Sequence, residues 1–346
     1  MRSSRIAGIG ISLPPSTDQD DLWHGFFAGH YDSRRRALAE RIFRNSGVRS
    51  RQAAVSPLLE DVSEWSTERR MERYRVEAMP LGKDAIDRAL ADAGVRADEI
   101  GLFAVCSCTG YATPGLDILL ARDLGMSPSV QRLFIGHMGC YAALPAMGTV
   151  ADYVVAHDRP ALLLCIELTS LHVQPAARSD VQQIVSHALF SDAAAAVVLT
   201  PGDDSDGYAF SRLTALTDTT TVDHMTWDIT DAGFRMGLSP QVPAVLARHV
   251  RAFADDLGVA GADGWAVHPG GPKILDVVEE RLDLPPDALQ ASRSVLSAYG
   301  NCSSPTVLLV LDALRRRDRR PDRVVLMAFG PGLTLYGAML GPTVAG

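Results

Sequence analysis

The sequence predicts a large, layered α/β fold built from two halves of similar grammar. Three observations lead there. Amphipathic helical stretches alternate with short apolar runs, several of those runs are apolar throughout as strands buried on both faces are, and the alternation starts afresh after the polar segment PGDDSDG at 201–207. That segment is the best internal boundary, giving a first half at 1–205 and a second at 206–346, with no plain residue-level repeat between them. With 346 residues, 47% of them hydrophobic, the chain can bury a substantial core without disulfide or metal staples.

In chain order, MRSSRIAGIGISLPP joins a basic flank to a brief apolar stretch that ends in Pro-Pro and lacks a cleavage site, so it reads as a first strand and not as a leader. A polar, charged region follows to about Arg73, within which DSRRRALAERIFRNSG predicts a helix ending at Gly47. Over 80–94, Ala85, Ile86, Ala89 and Leu90 share one helical face, and IGLFAVCSC after them is a buried strand. RLFIG is read as the next buried strand, turned by HMG into a helix from 141 to about 156. ALLLCIEL and AAAAVVLT complete the first half as buried strands. The second half reads as a helix near 244–257, the strand WAVHP, the helices PKILDVVEERL and PTVLLVLDALRRR, and the strand RVVLMAF.

Composition excludes several functions. The 41 acidic residues outnumber 33 basic ones, for a formal charge of −8, so nothing attracts nucleic acid or an anionic membrane in general, and an anionic ligand must be met by local basic groups. Five cysteines, an odd number scattered through apolar segments, argue against a secreted disulfide framework and for a reducing cytoplasm. No apolar run approaches the roughly 20 residues that span a bilayer.

Three polar residues stand at the mouths of hydrophobic elements. In RLFIGHMGCYAALPAM, Cys140 falls where a strand turns into a helix, with Gly139 permitting the sharp approach. Helix-terminal N–H groups stabilise a thiolate there, although a buried structural cysteine is the commoner reading of this motif alone. His268, in AVHPGGPKILDVV, sits at the C-terminal end of a strand, where α/β folds collect catalytic groups. Asn301, in YGNCSSPTVLLVL, precedes an apolar helix and alone would be a turn or capping residue. Together they supply a nucleophile and two oxyanion donors, the apparatus of a decarboxylative Claisen condensation.

The segments GCYAALPAM, HPGGPKILDVVEERLDL, YGNCSSPTVLLVLDALRR and FGPGLT resemble the chalcone synthase-like type III polyketide synthases, in the same order, from about Ala7 to Leu340. The resemblance implies the duplicated, five-layered αβαβα thiolase fold, a homodimer, malonyl-CoA and an acyl-CoA starter as substrates, and no cofactor or metal. It implies that Cys140 carries the acyl group, that His268 draws its thiol toward thiolate, and that His268 and Asn301 receive the extender's thioester carbonyl. Phe190, in HALFSDAAAA, matches the family's gatekeeping phenylalanine. Arg41 and Lys273 fall at coenzyme A phosphate positions with Arg44 beside them, whereas Leu38 and Asn45 stand where plant enzymes are basic.

Cavity positions align with Cys108, Thr109, Thr113, His172, Trp227, Met236 and Ser303. Met236 replaces a second gatekeeping phenylalanine and Trp227 a usual glycine, so the plant starter pocket is not expected here. Thr113 aligns with the position that reaches across the family's dimer interface. Cys108 resembles the cysteine of bacterial tetrahydroxynaphthalene synthases, and WDITDAGF resembles bacterial alkylpyrone and alkylresorcinol synthases. Two other readings stand beside this one. A ketoacyl-acyl-carrier-protein synthase III also uses Cys, His and Asn but takes a carrier protein, and a catalytically silent thiolase-fold partner would have a broken triad, which this sequence does not have.

Overall fold

In this computed structural model the described residues are 3–178, 180–202 and 208–342. The chain begins with β1 (Ser4–Ser12), β2 (Ser16–Asp18), the helical turns α1 (Gln19–Leu22) and α2 (Ala28–His30), α3 (Ser33–Arg44), β3 (Ser50–Gln52) and the long α4 (Thr67–Ala93). There follow β4 (Leu102–Ser107), α5 (Leu116–Asp123), β5 (Gln131–Gly136), α6 (Ala143–His157), β6 (Ala161–Glu167), α7 (Val181–Leu189) and β7 (Ala193–Pro201). The second half has β8 (Tyr208–Thr217), the hairpin β9 (Met225–Thr230) and β10 (Gly233–Leu238), α8 (Val242–Leu257), β11 (Gly264–Val267), α9 (Pro272–Leu282), α10 (Gln290–Tyr299), α11 (Pro305–Arg315), β12 (Val324–Gly330) and β13 (Thr334–Gly341).

Nine strands join in the order β11-β12-β13-β8-β1-β7-β6-β4-β5. The duplication is plain in the pairing. In the first half β4 runs parallel to β6, which is antiparallel to β7, which is antiparallel to β1; in the second, β11, β12, β13 and β8 repeat those relations. Only the short β1–β8 contact, Arg5 opposite Ala209 and Ile6 opposite Tyr208, joins the two halves of the sheet.

Side-chain alternation along the strands builds the layers. Ala104 and Cys106 of β4, Leu163 and Cys165 of β6, and Leu326 and Ala328 of β12 all face a shared central core with α6 and α11. Their neighbours Phe103, Val105, Leu162 and Leu164 turn the other way, onto α4 and α5. Val325 and Met327 turn onto α8 and α9. Helix, half-sheet, helices, half-sheet and helix make the five αβαβα layers that the family resemblance implies. The boundary called at 205 lies outside the described residues.

Two elements differ from expectation. The helix expected from residue 80 begins at Thr67, capped by Ser66 Oγ accepting from Arg69 N, and carries Pro80 in its interior. Its first half looks polar because it is held by Arg73 paired to Glu77 and buries only Arg70, Tyr74 and Ala78. RLFIG is not a buried strand. As β5 it is the edge of the sheet beyond β4, and its Phe134 is 39% exposed, since no element covers its outer side in a single chain.

Candidate active site

The two parallel pairs, β4 with β6 and β11 with β12, carry the candidate residues at their C-terminal ends. Cys108 lies just past β4, Glu167 ends β6, and His268 follows β11, its N–H donating to Met327 O of β12 at 2.7 Å. Gly330 closes β12 against Cys140: a Cβ there would lie 3.6 Å from Cys140 N and 2.7 Å from the Tyr141 ring. Glycine is what lets the nucleophile's turn reach this strand end.

Cys140 sits in a helical turn, Gly139–Tyr141, that leads into α6. Gly139 takes φ +73°, the left-handed region open to glycine. The thiol is buried beside the side chains of Ser303 and Asn301, which favour its thiolate form. Burial pushes its pKa up to about 11, and those two hydrogen bonds only partly oppose the rise. Desolvation therefore outweighs the hydrogen bonds that favour the thiolate.

Asn301 is fixed from several sides. Its N–H donates to Leu189 O (2.8 Å), its O accepts from Ser191 N–H (3.0 Å), and its Oδ1 accepts from Ser303 N–H (2.9 Å). With the amide oxygen so occupied, the amide nitrogen is the atom left to donate to the Cys140 sulfur. Asn301 is not the cap of α11, whose N-cap position is Ser304.

His268 is buried, and neither ring nitrogen has a hydrogen-bond partner among the described residues. Burial lowers its pKa to about 3, so the imidazole is neutral. Desolvation thus shifts each member of the expected imidazolium-thiolate pair toward its neutral form. An unpaired buried polar group costs about 1–3 kcal/mol, which an incoming hydrogen-bonding ligand would recover.

Cys108, Thr109, Cys140, Phe190, Trp227, Met236 and Ser303 line one predominantly apolar pocket. Trp227 is pinned in it by its indole N–H donating to Cys108 O at 2.7 Å. Cys108 Sγ lies 3.9 Å from Ser303 Oγ, and burial near Glu167 raises its pKa well above that of a free thiol. A neighbouring cavity shares Thr169, Phe190 and Trp227 with this pocket. His172 lines that cavity instead, its Nε2 donating to Thr109 O (2.6 Å), its Nδ1 accepting from Phe234 N (2.9 Å), and its ring stacked on Phe234. Thr113 stands outside both, exposed, with its hydroxyl 3.3 Å from Tyr111 OH. Arg41, Arg44 and Lys273 are exposed, and Arg44 pairs with Glu40 at 2.6 Å.

Two residues escaped the sequence reading. Glu167 is fully buried below the pocket, accepting from Thr109 Oγ1 (2.8 Å), Cys108 N (3.0 Å) and Ser304 Oγ (2.9 Å), and burial raises its pKa to about 7. Its signal was legible: a lone carboxylate ending the apolar run ALLLCIEL. Arg51, buried between the rings of Phe27 and Phe43, donates to the carbonyls of His187 and Phe190 and so holds the end of α7. Nothing in the local sequence distinguished it from the exposed arginines around it.

Comparison with known proteins agrees with this architecture. The chalcone and stilbene synthase N-terminal domain family matches residues 5–203 and its C-terminal domain family residues 211–343. The chain is 32% identical to the alpha-pyrone synthesis polyketide synthase-like Pks18 of Mycobacterium tuberculosis, across 96% of this chain and 90% of that protein. It is 35% identical to the 1,3,6,8-tetrahydroxynaphthalene synthase of Streptomyces peucetius subsp. caesius, across 96% and 91%. Among solved structures, PKS-I of the brown alga Ectocarpus siliculosus superposes with a TM-score of 0.90 at 29% identity, covering 99% of both chains.

Proposed function

This chain belongs to the chalcone and stilbene synthase family of type III polyketide synthases, and from that premise we propose how its own residues carry the reaction. It is an acyltransferase that condenses acyl units iteratively into small aromatic or pyrone products. Cys140 is the acyl carrier. As its sulfur attacks the starter's thioester carbonyl, the thiol proton passes to His268, which returns it to coenzyme A as that group leaves. Neutral partners suit this route, since the proton moves only as charge develops.

Malonyl-CoA then loses carbon dioxide. The electron pair of the broken carbon–carbon bond remains on the extender as an enolate, whose oxygen accepts hydrogen bonds from the His268 ring N–H and the Asn301 amide nitrogen. The enolate carbon attacks the acyl carbon, the bond to Cys140 breaks, and the sulfur is free to take the lengthened chain. The observation that carries this reading is the Asn301 side chain beside Cys140 with its amide oxygen held by Ser303 N–H, which leaves the amide nitrogen as the donor for the reacting centre.

Around this centre, Phe190 gates the pocket, and Arg41, Arg44 and Lys273 meet the coenzyme A phosphates. Cys108, Thr109, Trp227, Met236 and Ser303 shape the growing chain, with His172 behind them. The Trp227 wall of this pocket favours a short polyketide. No cofactor is required, because decarboxylation itself supplies the nucleophilic electron pair. A homodimer is supported by the exposed Phe134 on edge strand β5 and the exposed Tyr111 and Ile118, with Thr113 on the same side reaching the partner's cavity. Five free cysteines fit a reducing cytoplasm, and among the described residues no helix is long and apolar enough to cross a membrane.

The test is product analysis with malonyl-CoA and a panel of acetyl, aromatic and longer acyl-CoA starters. Iterative extension is expected with the wild-type protein and none with Cys140→Ala. Product from the variant would overturn the assignment.

A further inference from the structure

We infer that the arginine face of α3 is a docking surface for an acidic carrier protein that delivers the starter acyl group on a phosphopantetheine arm. The inference rests on the condensing activity proposed above. Between residues 33 and 49 the chain has six arginines and one acidic residue, Glu40, in a protein whose formal charge is −8. Such a concentration is local, directional and against the trend of the whole surface. Ala39 and Phe43 turn α3 inward, while Arg34, Arg36, Arg41 and Arg44 are exposed. Arg44 pairs with Glu40; Arg34, Arg36 and Arg41 have no ion pair among the described residues.

The face leads to the site. Just beyond α3, a Cβ on Gly47 would lie 3.8 Å from Pro272, next to Lys273, and Val48 packs on Leu189, the residue before Phe190. Arg41 and Arg44 are thus at the mouth, where the phosphates of coenzyme A are met. Arg34 lies about 15 Å further along the helix from Arg44, at about 1.5 Å per residue, which leaves Arg34 and Arg36 outside the reach of that nucleotide contact. Charge extended along a helix in this way complements an acidic protein surface and steers its approach. A membrane is the less fitting occupant, because the exposed side of α3 offers arginines and Ala37 but no large apolar residue to sink into lipid.

The experiment takes the acyl group most active in the coenzyme A panel and supplies it either as that thioester or loaded on a bacterial acyl carrier protein, with malonyl-CoA as extender. Wild-type protein should use both. The double variant Arg34→Glu, Arg36→Glu should lose about tenfold or more in kcat/KM with the carrier protein yet stay within about twofold with the coenzyme A thioester, and added salt should weaken only the carrier reaction. The unchanged coenzyme A rate also shows that the variant is folded. Wild-type turnover of the coenzyme A thioester but not of the loaded carrier overturns the docking surface alone, as does a variant that loses both reactions equally. Arginine-dependent binding to phosphatidylglycerol vesicles without carrier turnover overturns it in favour of a membrane. Failure of every coenzyme A starter would instead remove the condensing activity itself.

Discussion

At Cys140 a helix end and two hydrogen bonds favour the thiolate while burial opposes it, and burial wins, with the pKa near 11. The rate of alkylation by iodoacetamide at Cys140 should therefore climb about tenfold per pH unit between about 7 and 9, following the thiolate fraction. A plateau already reached near pH 7 would show a resting ion pair with His268 and contradict the neutral site. His268 and Asn301 act on the enolate instead. His268→Ala and Asn301→Ala should each slow malonyl-CoA decarboxylation by at least roughly 100-fold, the scale of one oxyanion donor, measured as carbon dioxide release. Near-normal release from either variant removes that residue from the mechanism.

At the scale of elements, the ends of α7 and α10 are tied to each other. The N–H of Asn301 and the carbonyl of Leu189 meet, Ser191 N–H returns to Asn301 O, and Arg51 holds the carbonyls of His187 and Phe190 from behind. Arg51→Met should lower kcat by about tenfold or more, with a smaller change in KM for malonyl-CoA, because it releases Phe190 and Asn301 together without touching the phosphate contacts; Arg51→Lys should recover part of the loss. A variant in which only KM moves would locate Arg51 in substrate binding. This tie was not legible in the sequence, since a buried arginine bonded to carbonyls has the same local signature as an exposed one. What was legible came from continuous patterns: the apolar strands β4, β6, β7 and β12, the glycine turn at Cys140, and the HPGGP turn at His268. The front of α4 was missed because arginine-glutamate pairing stabilises a helix without an apolar stripe, and the hairpin β9–β10 was not delineated because its alternation is weak.

The whole molecule keeps three histidines neutral in its interior, and that sets its response to acid. Burial lowers His268 and His172 to about 3 and drives His187 well below its ordinary value. In the unfolded chain each takes up a proton near pH 6.5, while in the folded chain the first two do not until about pH 3, so the unfolded state binds more protons across that window. Their contribution to stability is complete above pH 6.5 and declines as pH falls toward 3. Glu167 works the other way. Its folded pKa near 7 exceeds the unfolded 4.5, so the folded state is the one that holds its proton between those values, and the stability it adds at low pH is lost as pH rises through 7. Asp192, whose pKa burial also raises, acts in the same sense as Glu167, so three histidines face two carboxyls between about pH 4.5 and 6.5, and urea midpoints should rise with pH across that interval. His187→Gln, which cannot take up the proton in either state, should flatten the rise by about one third of the histidine contribution. A midpoint independent of pH would mean that these imidazoles are charged or solvated in the folded protein, and a slope unaltered by this substitution would mean the same of His187.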